Sequence, residues 1–438
     1  MKRILIECHD LTLPTGTGIA TYARTLAAAA HGIGLRTGAL HSVTRPVRAG
    51  GTTLNEVMVT ETGKPKRSLL SPVRWRKNLR WLAGSPWGAS PVRIETSGIV
   101  VGSTERYRNF DDVYVAEDLF IAAQRHLKLR KRSLELKLAD PPDLFHASRP
   151  VPVRVPGRPN IYTVHDLVPL RLPYTTLSDK PGFHATIAEL ARSADHFVTV
   201  SDSAKNDLVE FFRIDPDRIT TTYQSVDIPS GLVDEPEEEV QADLRGAFDL
   251  EMGEYFLFLG ALEPKKNVKS LIEAYAASGS PYPLVIAGAA GWMNEDEHRM
   301  IADERFLYYE IVGQRIVPKR RVRRLTYLPQ SRLVSLIRGA RALLFPSIYE
   351  GFGLPVVEAM LLGTPVMTSN VSSLPEVAGD AALLIDPYDL RAMTKAIRAL
   401  DADADLRAEL SRRGRIRAEF FSPARYRERL GELYGRLM

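Results

Sequence analysis

Short apolar runs alternate with amphipathic helical patterns along this chain. The strand-like runs begin near Ile4, Ile161, His196, Tyr255, Leu284, Ala342, Val366 and Ala382. Between them, apolar residues recur at helical spacing, as from about Gly18 to His31 and from about Ser270 to Ala277. Buried strands separated by amphipathic helices are typical of βαβ units, so the pattern predicts an α/β protein with parallel sheets.

The alternation stops in a segment rich in proline, glycine and acidic residues at 227–239. Such a composition is typical of a linker between packed units. The 438 residues are also about three times the usual length of one domain. We therefore predict a first domain at residues 1–228, a second at 229–414 and a final helical segment at 415–438, where large apolar residues recur at helical intervals.

The composition narrows the class of protein. With 45% hydrophobic and 25% charged residues, it is typical of a globular protein and excludes a disordered chain. No apolar run reaches the roughly 18 residues that a transmembrane helix needs. The single cysteine, Cys8, rules out an intramolecular disulfide and a cysteine-based zinc cluster, which fits a reducing cytoplasm. We expect a cytoplasmic protein, either soluble or peripheral on a membrane.

The net charge of +5 is concentrated in one window, because residues 64–80 contain seven basic residues and no acidic one. Tryptophans lie among and after these charges, at Trp75, Trp81 and Trp87. The segment Lys64 to Trp87 is therefore interpreted either as an amphipathic surface for an anionic membrane or as a solvated helix with its tryptophans packed inward. Two further basic clusters, Arg125 to Lys137 and Lys319 to Arg324, are interpreted as solvated faces.

The segment from Pro346 to Met360 carries the clearest chemical signal. A strand ends there, Glu350 follows, two glycines flank Phe352, and a helix begins. Glycines let the backbone approach a ligand, and a helix N-terminus attracts anions. Glu350 and Glu358 could each accept hydrogen bonds from hydroxyls of one polyol ligand. By spacing alone, an exposed loop acid and a solvated helical acid are the favoured explanation of the two glutamates.

These residues and five further blocks resemble the retaining glycosyltransferases of family 4. Glu350 and Glu358 match the family's E-x7-E motif. The other blocks are Phe258 to Val268, Thr163 to Leu167, Thr199 to Lys205, Leu374 to Gly379, and Gly16-Thr17-Gly18. The resemblance spans nearly the whole chain in the family's order. It implies the GT-B fold, in which two facing Rossmann-like domains enclose a donor cleft.

In the second domain, the resemblance implies that Glu350 contacts hydroxyls of the transferred sugar and that Glu358 holds the nucleotide ribose. Lys266, helped by Lys265, would neutralise the departing diphosphate, because cations there stabilise the charge that develops on the phosphate oxygens. Outside the motif, both lysines would simply be surface residues at a helix start. The remaining donor-binding positions, which offer backbone to the sugar or diphosphate, are Gly351, Phe352, Gly353 and Leu354.

In the first domain, the resemblance implies that His165 faces the donor sugar and orients it. A lone histidine at the end of an apolar strand is otherwise most often a hydrogen-bonded core residue. Asp166 would position either the imidazole or its loop. Gly18 would let the chain approach the diphosphate from the mouth of the first helix.

The block Glu263-Pro264-Lys265-Lys266-Asn267 is similar to the Glu-Pro-Arg-Lys-Asn block of a subgroup resembling bacterial mannosyltransferases B. Many family members carry an arginine where this chain has Ala261. Lysine at position 265 keeps the charge of the subgroup's arginine but lacks the planar guanidinium that binds phosphate with two hydrogen bonds. Because this subgroup resembles mannosyltransferases, GDP-mannose is the first donor expected, and a UDP- or dTDP-linked sugar is the alternative.

The resemblance implies transfer with retention, driven by positioning and by stabilisation of the diphosphate, with neither a metal ion nor another cofactor. It also implies that the final segment crosses back to the first domain. The expected acceptor is a lipid-linked or polysaccharide glycan of the bacterial surface, reached at the inner face of the plasma membrane. Two other classes stay open: a sugar- or nucleotide-binding protein without turnover, and a nucleic-acid-binding protein, for which no recognition module accompanies the basic window.

Overall fold

The computed structural model describes residues 1–12, 18–43, 56–57, 88–94, 107–312, 315–326 and 328–438. They divide into two compact units. The first unit comprises residues 1–170, 178–225 and 423–438, and the second comprises residues 171–177 and 226–422. The Gly16-Thr17 pair and the basic segment Lys64 to Trp87 lie outside the described residues, so the membrane interpretation of that segment stays a prediction.

In its described part, the first unit contains an eight-stranded sheet of order β10-β9-β8-β6-β1-β2-β4-β3, and only β3 runs antiparallel to its neighbour. A short pair, β5 and β7, lies apart from it. The strands are β1 (Arg3–Glu7), β2 (Arg36–Val43), β3 (Val92–Ile94), β4 (Asp112–Glu117), β5 (Leu134–Glu135), β6 (Leu144–Ala147), β7 (Val153–Arg154), β8 (Asn160–Val164), β9 (His196–Thr199) and β10 (Ile219–Thr221).

Helices connect these strands, as the alternating pattern predicts. They are α1 (Gly18–Gly32), α2 (Leu119–Arg130), α3 (Val168–Arg171), α4 (Lys180–Ser193) and α5 (Asp202–Phe212). The Ser201 hydroxyl caps α5 by accepting a hydrogen bond from the backbone N–H of Ala204. Strand β8 is buried along its whole length. Leu5, Phe145 and Phe197 are among the side chains that pack the core.

The second unit repeats the plan with a six-stranded parallel sheet of order β15-β12-β11-β16-β17-β18. Its strands are β11 (Phe256–Leu259), β12 (Leu284–Ala287), β15 (Val322–Leu325), β16 (Ala342–Phe345), β17 (Val366–Ser369) and β18 (Leu383–Ile385). An antiparallel hairpin of β13 (Leu307–Val312) and β14 (Arg315–Arg320) precedes β15 and forms a separate two-stranded sheet. The strand pattern did not predict this hairpin.

The helices that follow in the chain are α6 (Ser230–Val233), α7 (Glu237–Phe248), α8 (Val268–Ser278), α9 (Glu295–Ala302), α10 (Gln330–Arg338), α11 (Leu354–Leu361), α12 (Leu374–Ala378), α13 (Leu390–Ala402), α14 (Ala404–Ala418) and α15 (Pro423–Leu437). Except for α15, they belong to the second unit. Helices α8 and α13 are neighbours, as are α11 and α14.

The unit boundaries differ from the predicted ones at three places. The first boundary lies between Ser225 and Val226, close to the predicted residue 228. The segment that groups with the first unit begins at Pro423 and not at 415, because α14 and the turn after it belong to the second unit. The short stretch Arg171–Leu177 also groups with the second unit, which no local pattern predicted.

Among the described residues, no helix combines the length and the apolar character that crossing a bilayer requires.

Candidate functional site

Two loops at the carboxyl ends of β11 and β16 meet in the second unit. These strands are hydrogen-bonded neighbours although β12 and the hairpin of β13 and β14 lie between them along the chain. After β11, residues Pro264–Lys266 form a 3₁₀ turn that presents two lysines. The backbone N–H of Ile348, in the loop after β16, donates to the carbonyl of Lys265 at 2.8 Å. This bond holds the two loops together, at the sheet edge where open α/β sheets bind their ligands.

The two lysines and Glu350 form a buried ion cluster. Lys266 Nζ lies 2.6 Å from Glu350 Oε1, and Lys265 Nζ lies 3.7 Å from Glu350 Oε2. The Lys266 ammonium also lies 4.9 Å from the centroid of the Phe345 ring. The three charged side chains are between 8% and 16% exposed. The interpretations of Glu350 as an exposed loop acid and of the lysines as plain surface residues are therefore wrong.

In this cluster two ammonium groups contact the Glu350 carboxylate. Burial alone would raise the pKa of Glu350, but Lys266 and then Lys265 outweigh it and hold that pKa below its ordinary value of 4.5. Glu350 is therefore ionised at neutral pH. Two ammonium groups in a largely buried place attract an anion more strongly than an exposed lysine does.

Two serines that the sequence analysis did not single out shape the Glu350 loop. The backbone N–H of Glu350 donates to Ser372 Oγ at 3.0 Å. The Ser373 hydroxyl lies at hydrogen-bond distance from two carbonyls, 3.0 Å from that of Glu350 and 2.8 Å from that of Phe352. Both serines follow β17, whose carboxyl end faces the same edge as β16. The signal that could have found them is the pair of hydroxyls directly after a buried strand.

Gly353 caps the start of α11 in a conformation that other residues rarely adopt, with φ of +106°. A Cβ at this position would lie 2.8 Å from Leu374 Cδ2, so space and backbone both require glycine. The first N–H groups of a helix have no acceptors within the helix. Pro355, as a proline, has no backbone N–H at all. Leu354 is the first residue of the helix, so its N–H has no acceptor within the helix. The predicted backbone contacts of Gly351, Phe352, Gly353 and Leu354 to a donor stay predictions.

The Phe352 side chain turns inward. It is 4% exposed, and its ring meets that of Phe421 edge-on, with the two centroids 5.3 Å apart. Phe352 thus anchors the loop through its side chain and has only its backbone to offer a ligand.

Glu358 lies on α11, two turns beyond Glu350 along the chain. It is partly exposed, and desolvation raises its pKa from 4.5 to about 7. In contrast to Glu350, no cation offsets this cost within the part of the chain that the structure describes. Hydrogen bonds from hydroxyl groups stabilise a desolvated carboxylate, and a ribose carries such hydroxyl groups.

In the first unit, His165 follows β8. Its Nε2 lies 2.8 Å from the carbonyl oxygen of Ser148, and since a carbonyl only accepts, Nε2 carries the proton. Burial lowers the pKa of His165, although the Ser148 bond and Asp166 partly oppose that shift. The imidazole is therefore neutral near pH 7, with Nδ1 as an acceptor for a hydroxyl. Asp166 accepts from the backbone N–H of Val168 at 3.0 Å, so this carboxylate positions the loop.

A buried polar chain lies behind His165. The Tyr22 ring meets the His165 ring edge-on, with the centroids 4.7 Å apart. The Tyr22 hydroxyl lies 2.9 Å from Thr163 Oγ1, which lies 2.9 Å from His146 Nε2. His146 Nδ1 lies 2.6 Å from the Tyr434 hydroxyl on α15. Burial lowers the pKa of His146 to about 3, so this chain is neutral and holds α15 and α1 on the sheet.

Gly18, predicted to approach the diphosphate, is the first residue of α1, one helical turn before Tyr22. That spacing places both residues on one face of α1. The donor role of Gly18 stays a prediction.

A second charged cluster, which sequence reasoning missed, lies at the carboxyl ends of β1 and β6. Glu7 is fully buried, and its carboxylate accepts from the Ser148 hydroxyl at 3.2 Å. Arg149 Nε lies 3.4 Å from Glu7 and 3.3 Å from Asp10. Burial raises the pKa of Glu7, and Arg149 opposes that shift. The signal was present in the sequence as the acid that interrupts the first apolar run.

Among the residues that the structure describes, no group of three or more histidine, cysteine, aspartate and glutamate side chains is arranged to hold a metal ion.

Two family models match the chain. The model described as "Glycosyltransferase Family 4" matches residues 102–229, and the one described as "Glycosyl transferases group 1" matches residues 241–417. The second match contains the whole cluster of Lys265, Lys266 and Glu350.

Among curated proteins, O-antigen chain mannosyltransferase B of Escherichia coli is 33% identical over 60% of this chain and 66% of its own length. O-antigen chain mannosyltransferase RfbU of Salmonella typhimurium is 28% identical over 55% of this chain and 60% of its own length. The serotype-specific mannosyltransferase WbdA of Escherichia coli is 28% identical over 66% of this chain and 38% of its own length. The matches thus span less than two thirds of each relative.

Two solved structures superpose on nearly the whole chain. HepE of Anabaena, in complex with UDP and glucose, gives a TM-score of 0.65 at 14% identity and covers 100% of both chains. WaaG, a glycosyltransferase involved in lipopolysaccharide biosynthesis, gives a TM-score of 0.60 at 15% identity over 98% of this chain and 99% of its own. At such identities the likeness establishes the fold alone.

Proposed function

This chain belongs to glycosyltransferase family 4 and has the GT-B fold, as its motifs predicted, and on that premise we propose that it is a retaining hexosyltransferase of bacterial surface glycan synthesis. The preferred donor is GDP-mannose, and the acceptor is a lipid-linked or polysaccharide glycan. The relatives named as O-antigen mannosyltransferases support the choice of sugar. The observation that carries the proposal is the buried cluster in which Lys265 and Lys266 both contact the carboxylate of Glu350.

In the proposed reaction, the bond between the anomeric carbon and the diphosphate breaks, and a new bond forms to an acceptor hydroxyl on the same face. The acceptor proton passes to a diphosphate oxygen, so a nucleoside diphosphate and a glycoside leave. Lys266 stabilises the charge on the departing diphosphate. Its ammonium has three N–H donors, of which one goes to Glu350, so phosphate oxygens can bind without breaking that pair.

Glu350 accepts hydrogen bonds from hydroxyls of the transferred sugar, and Glu358 accepts from those of the ribose. His165, neutral and with Nδ1 as acceptor, orients the sugar from the first unit. Rate acceleration then comes from positioning and electrostatic stabilisation. We propose that two lysines supply the positive charge, that the reaction needs neither a metal ion nor another cofactor, and that no nucleic acid is a partner.

A UDP- or dTDP-linked sugar, such as glucose or rhamnose, is the second candidate donor. The fold neighbour crystallised with UDP and glucose favours it. The candidate function without catalysis is that of a nucleotide-sugar-binding protein. It would need no cation at the leaving group, so the lysine cluster supports the enzyme.

The first test is the thermal midpoint with GDP, UDP and dTDP in the presence of EDTA. A ligand that binds only the folded state raises the midpoint. A rise with GDP alone supports the mannosyl donor, and a rise with UDP or dTDP alone refutes it while keeping the site. No rise with any of the three contradicts the enzyme proposal.

The second test is transfer from GDP-mannose to a glycan acceptor, with the anomeric configuration of the product read by NMR. Lys266→Ala is expected to slow transfer by about 100-fold or more, since removal of one such stabilising group costs that much. Lys269→Ala, an exposed lysine on α8, is the matched control and keeps the wild-type rate. An inverted product contradicts the retaining mechanism.

A further inference from the structure

The hairpin of β13 and β14 is a separate element of the second unit to which the proposed reaction gives no role. Its strands pair from Leu307 with Arg320 to Val312 with Arg315, and they form their own two-stranded sheet. The hairpin enters the chain between α9 and the edge strand β15. It also carries part of the basic cluster that the sequence analysis interpreted as a solvated face.

One face of the hairpin is apolar and exposed. Tyr309 is 65% exposed, Ile311 is 76% exposed and Ile316 is 70% exposed. In the register, Ile311 lies opposite Ile316 and Tyr309 lies opposite Pro318, which is also exposed. Side chains two apart on a strand and directly opposite across a pair share one face. These four residues, the apolar face of the hairpin, therefore form one contiguous patch.

The opposite face holds the hairpin to the rest of the unit. Lys319 Nζ lies 2.7 Å from Asp249 Oδ2 and 2.6 Å from Glu310 Oε2. The Arg321 guanidinium lies 5.6 Å from the centroid of the Tyr308 ring. Tyr308, Glu310 and Lys319 alternate with the apolar residues along the strands, so they lie on the other face. The apolar face thus points away from the anchoring contacts.

The hairpin and the residues next to it in the sequence carry a net positive charge. Residues 303–324 contain seven basic and three acidic residues. Several of the arginines donate to backbone carbonyls: Arg320 to Ala302 at 3.0 Å, Arg321 to Ser280 at 3.1 Å and Arg323 to Asp249 at 3.0 Å. A carbonyl is neutral, so these contacts fix the guanidinium groups without cancelling their charge.

We propose that the hairpin docks the second unit on an anionic lipid bilayer, with the apolar face of the hairpin in the headgroup region and Arg320, which the register places on that face, against lipid phosphates. The other arginines add longer-range attraction to the anionic surface. Apolar side chains and basic residues together bind such surfaces more strongly than either alone, and tyrosine is favoured at the interface. A second copy of this chain fits less well, because pairing two such hairpins would bring two positive surfaces together. This docking goes beyond the proposed reaction and is separate from the basic segment at residues 64–87.

Vesicle flotation of the full chain tests the proposal. The wild-type protein is expected to float with phosphatidylglycerol-containing vesicles and far less with phosphatidylcholine vesicles. The double variant Ile311→Asp/Ile316→Asp is expected to lose at least tenfold in partitioning. Ile416→Asp, an isoleucine 63% exposed on α14, is the matched control and binds like the wild type. Unchanged binding of the double variant would overturn the proposal and assign any membrane contact to another segment.

A gain-of-signal variant locates the contact. Ile311→Trp is expected to be quenched by brominated acyl chains in anionic vesicles, whereas Ile416→Trp adds no quenching to that of the wild type. Equal binding to neutral vesicles would overturn the role assigned to the arginines. If light scattering shows that the aspartate variant loses a dimer while its vesicle binding is unchanged, the apolar face belongs to a second copy and the proposal is wrong. The thermal midpoint without ligand, expected to be unchanged in all variants, shows that they are folded and does not depend on the donor proposal.

Discussion

Replacing the Glu350 carboxylate by an amide is expected to tighten the binding of GDP while it slows sugar transfer. GDP carries the diphosphate but no sugar, so it loses no contact when Glu350→Gln removes the proposed acceptor of sugar hydroxyls. The variant removes the carboxylate that Lys265 and Lys266 contact, so its repulsion of the diphosphate is lost. Two opposite effects of one substitution distinguish the proposed roles from a general loss of structure.

The size of the effect follows from the geometry. Lys266 Nζ lies 2.6 Å from Glu350 Oε1. A phosphate oxygen on the other side of this ammonium, at a hydrogen-bond length of about 2.8 Å, lies about 5 Å from the carboxylate oxygen. Two unit negative charges at about 5 Å repel by about 3 kcal/mol at an effective dielectric constant of about 20, and by about 1 kcal/mol in bulk water. Removing that repulsion should tighten GDP binding by about 5- to 150-fold.

Isothermal titration with GDP near neutral pH, in EDTA, measures this effect. Glu304→Gln, on the surface of the same unit, changes the net charge equally and should leave the dissociation constant unchanged. Unchanged or weaker GDP binding by Glu350→Gln would refute the placement of the diphosphate at the lysine pair.

The free energy of unfolding supplies a second check. Because the pKa of Glu350 is depressed, the stabilising contribution of Glu350 is present above pH 4.5, its ordinary pKa. That contribution is lost as the pH falls through the lower pKa of the folded state.

Three further predictions concern single positions. Glu358→Gln should raise the free energy of unfolding at pH 8 by about 1–3 kcal/mol and by much less at pH 5, because the raised pKa of about 7 costs stability only where Glu358 is ionised in the unfolded chain. The same variant should weaken GDP binding. Urea titrations at both pH values check the stability, and calorimetry with GDP checks the binding. Gly353→Ala should destabilise by about 1–3 kcal/mol, whereas Gly246→Ala, with open space around its Cβ position inside α7, should stabilise by about 0.5–1 kcal/mol; equal effects in thermal melts would contradict the strain at Gly353. His165→Ala should slow transfer by about 10- to 100-fold without changing the dissociation constant of GDP, and a parallel loss of GDP affinity would contradict a role confined to the sugar.

The strand and helix pattern was predictable because it is local. Strand β17 begins at Val366 as its apolar run predicted, and helix α5 follows the run that begins at His196. Period-two and period-3.6 patterns depend only on neighbours along the chain. The hairpin of β13 and β14 was missed for the same reason, since its isoleucines and tyrosines are exposed and form no buried apolar run.

Other features depended on packing that no window of sequence contains. The pairing of Lys266 with Glu350 spans 84 positions and arises because β11 and β16 are adjacent strands. The final helix groups with the first unit from Pro423, because its buried tyrosines bond to β6 and pack against α1, whereas α14 packs on α11.

The sequence by itself determined the family, the GT-B fold and which residue types line the proposed site, because these are carried by motifs and by local periodicity. Only the tertiary structure decided that Glu350 is an ion-paired carboxylate with a depressed pKa while Glu358 is a desolvated one with a raised pKa. Both positions carry the same residue type, so the sequence alone does not distinguish their ionisation. Their chemistry differs because the free energy of a charge depends on the groups that the fold brings around it.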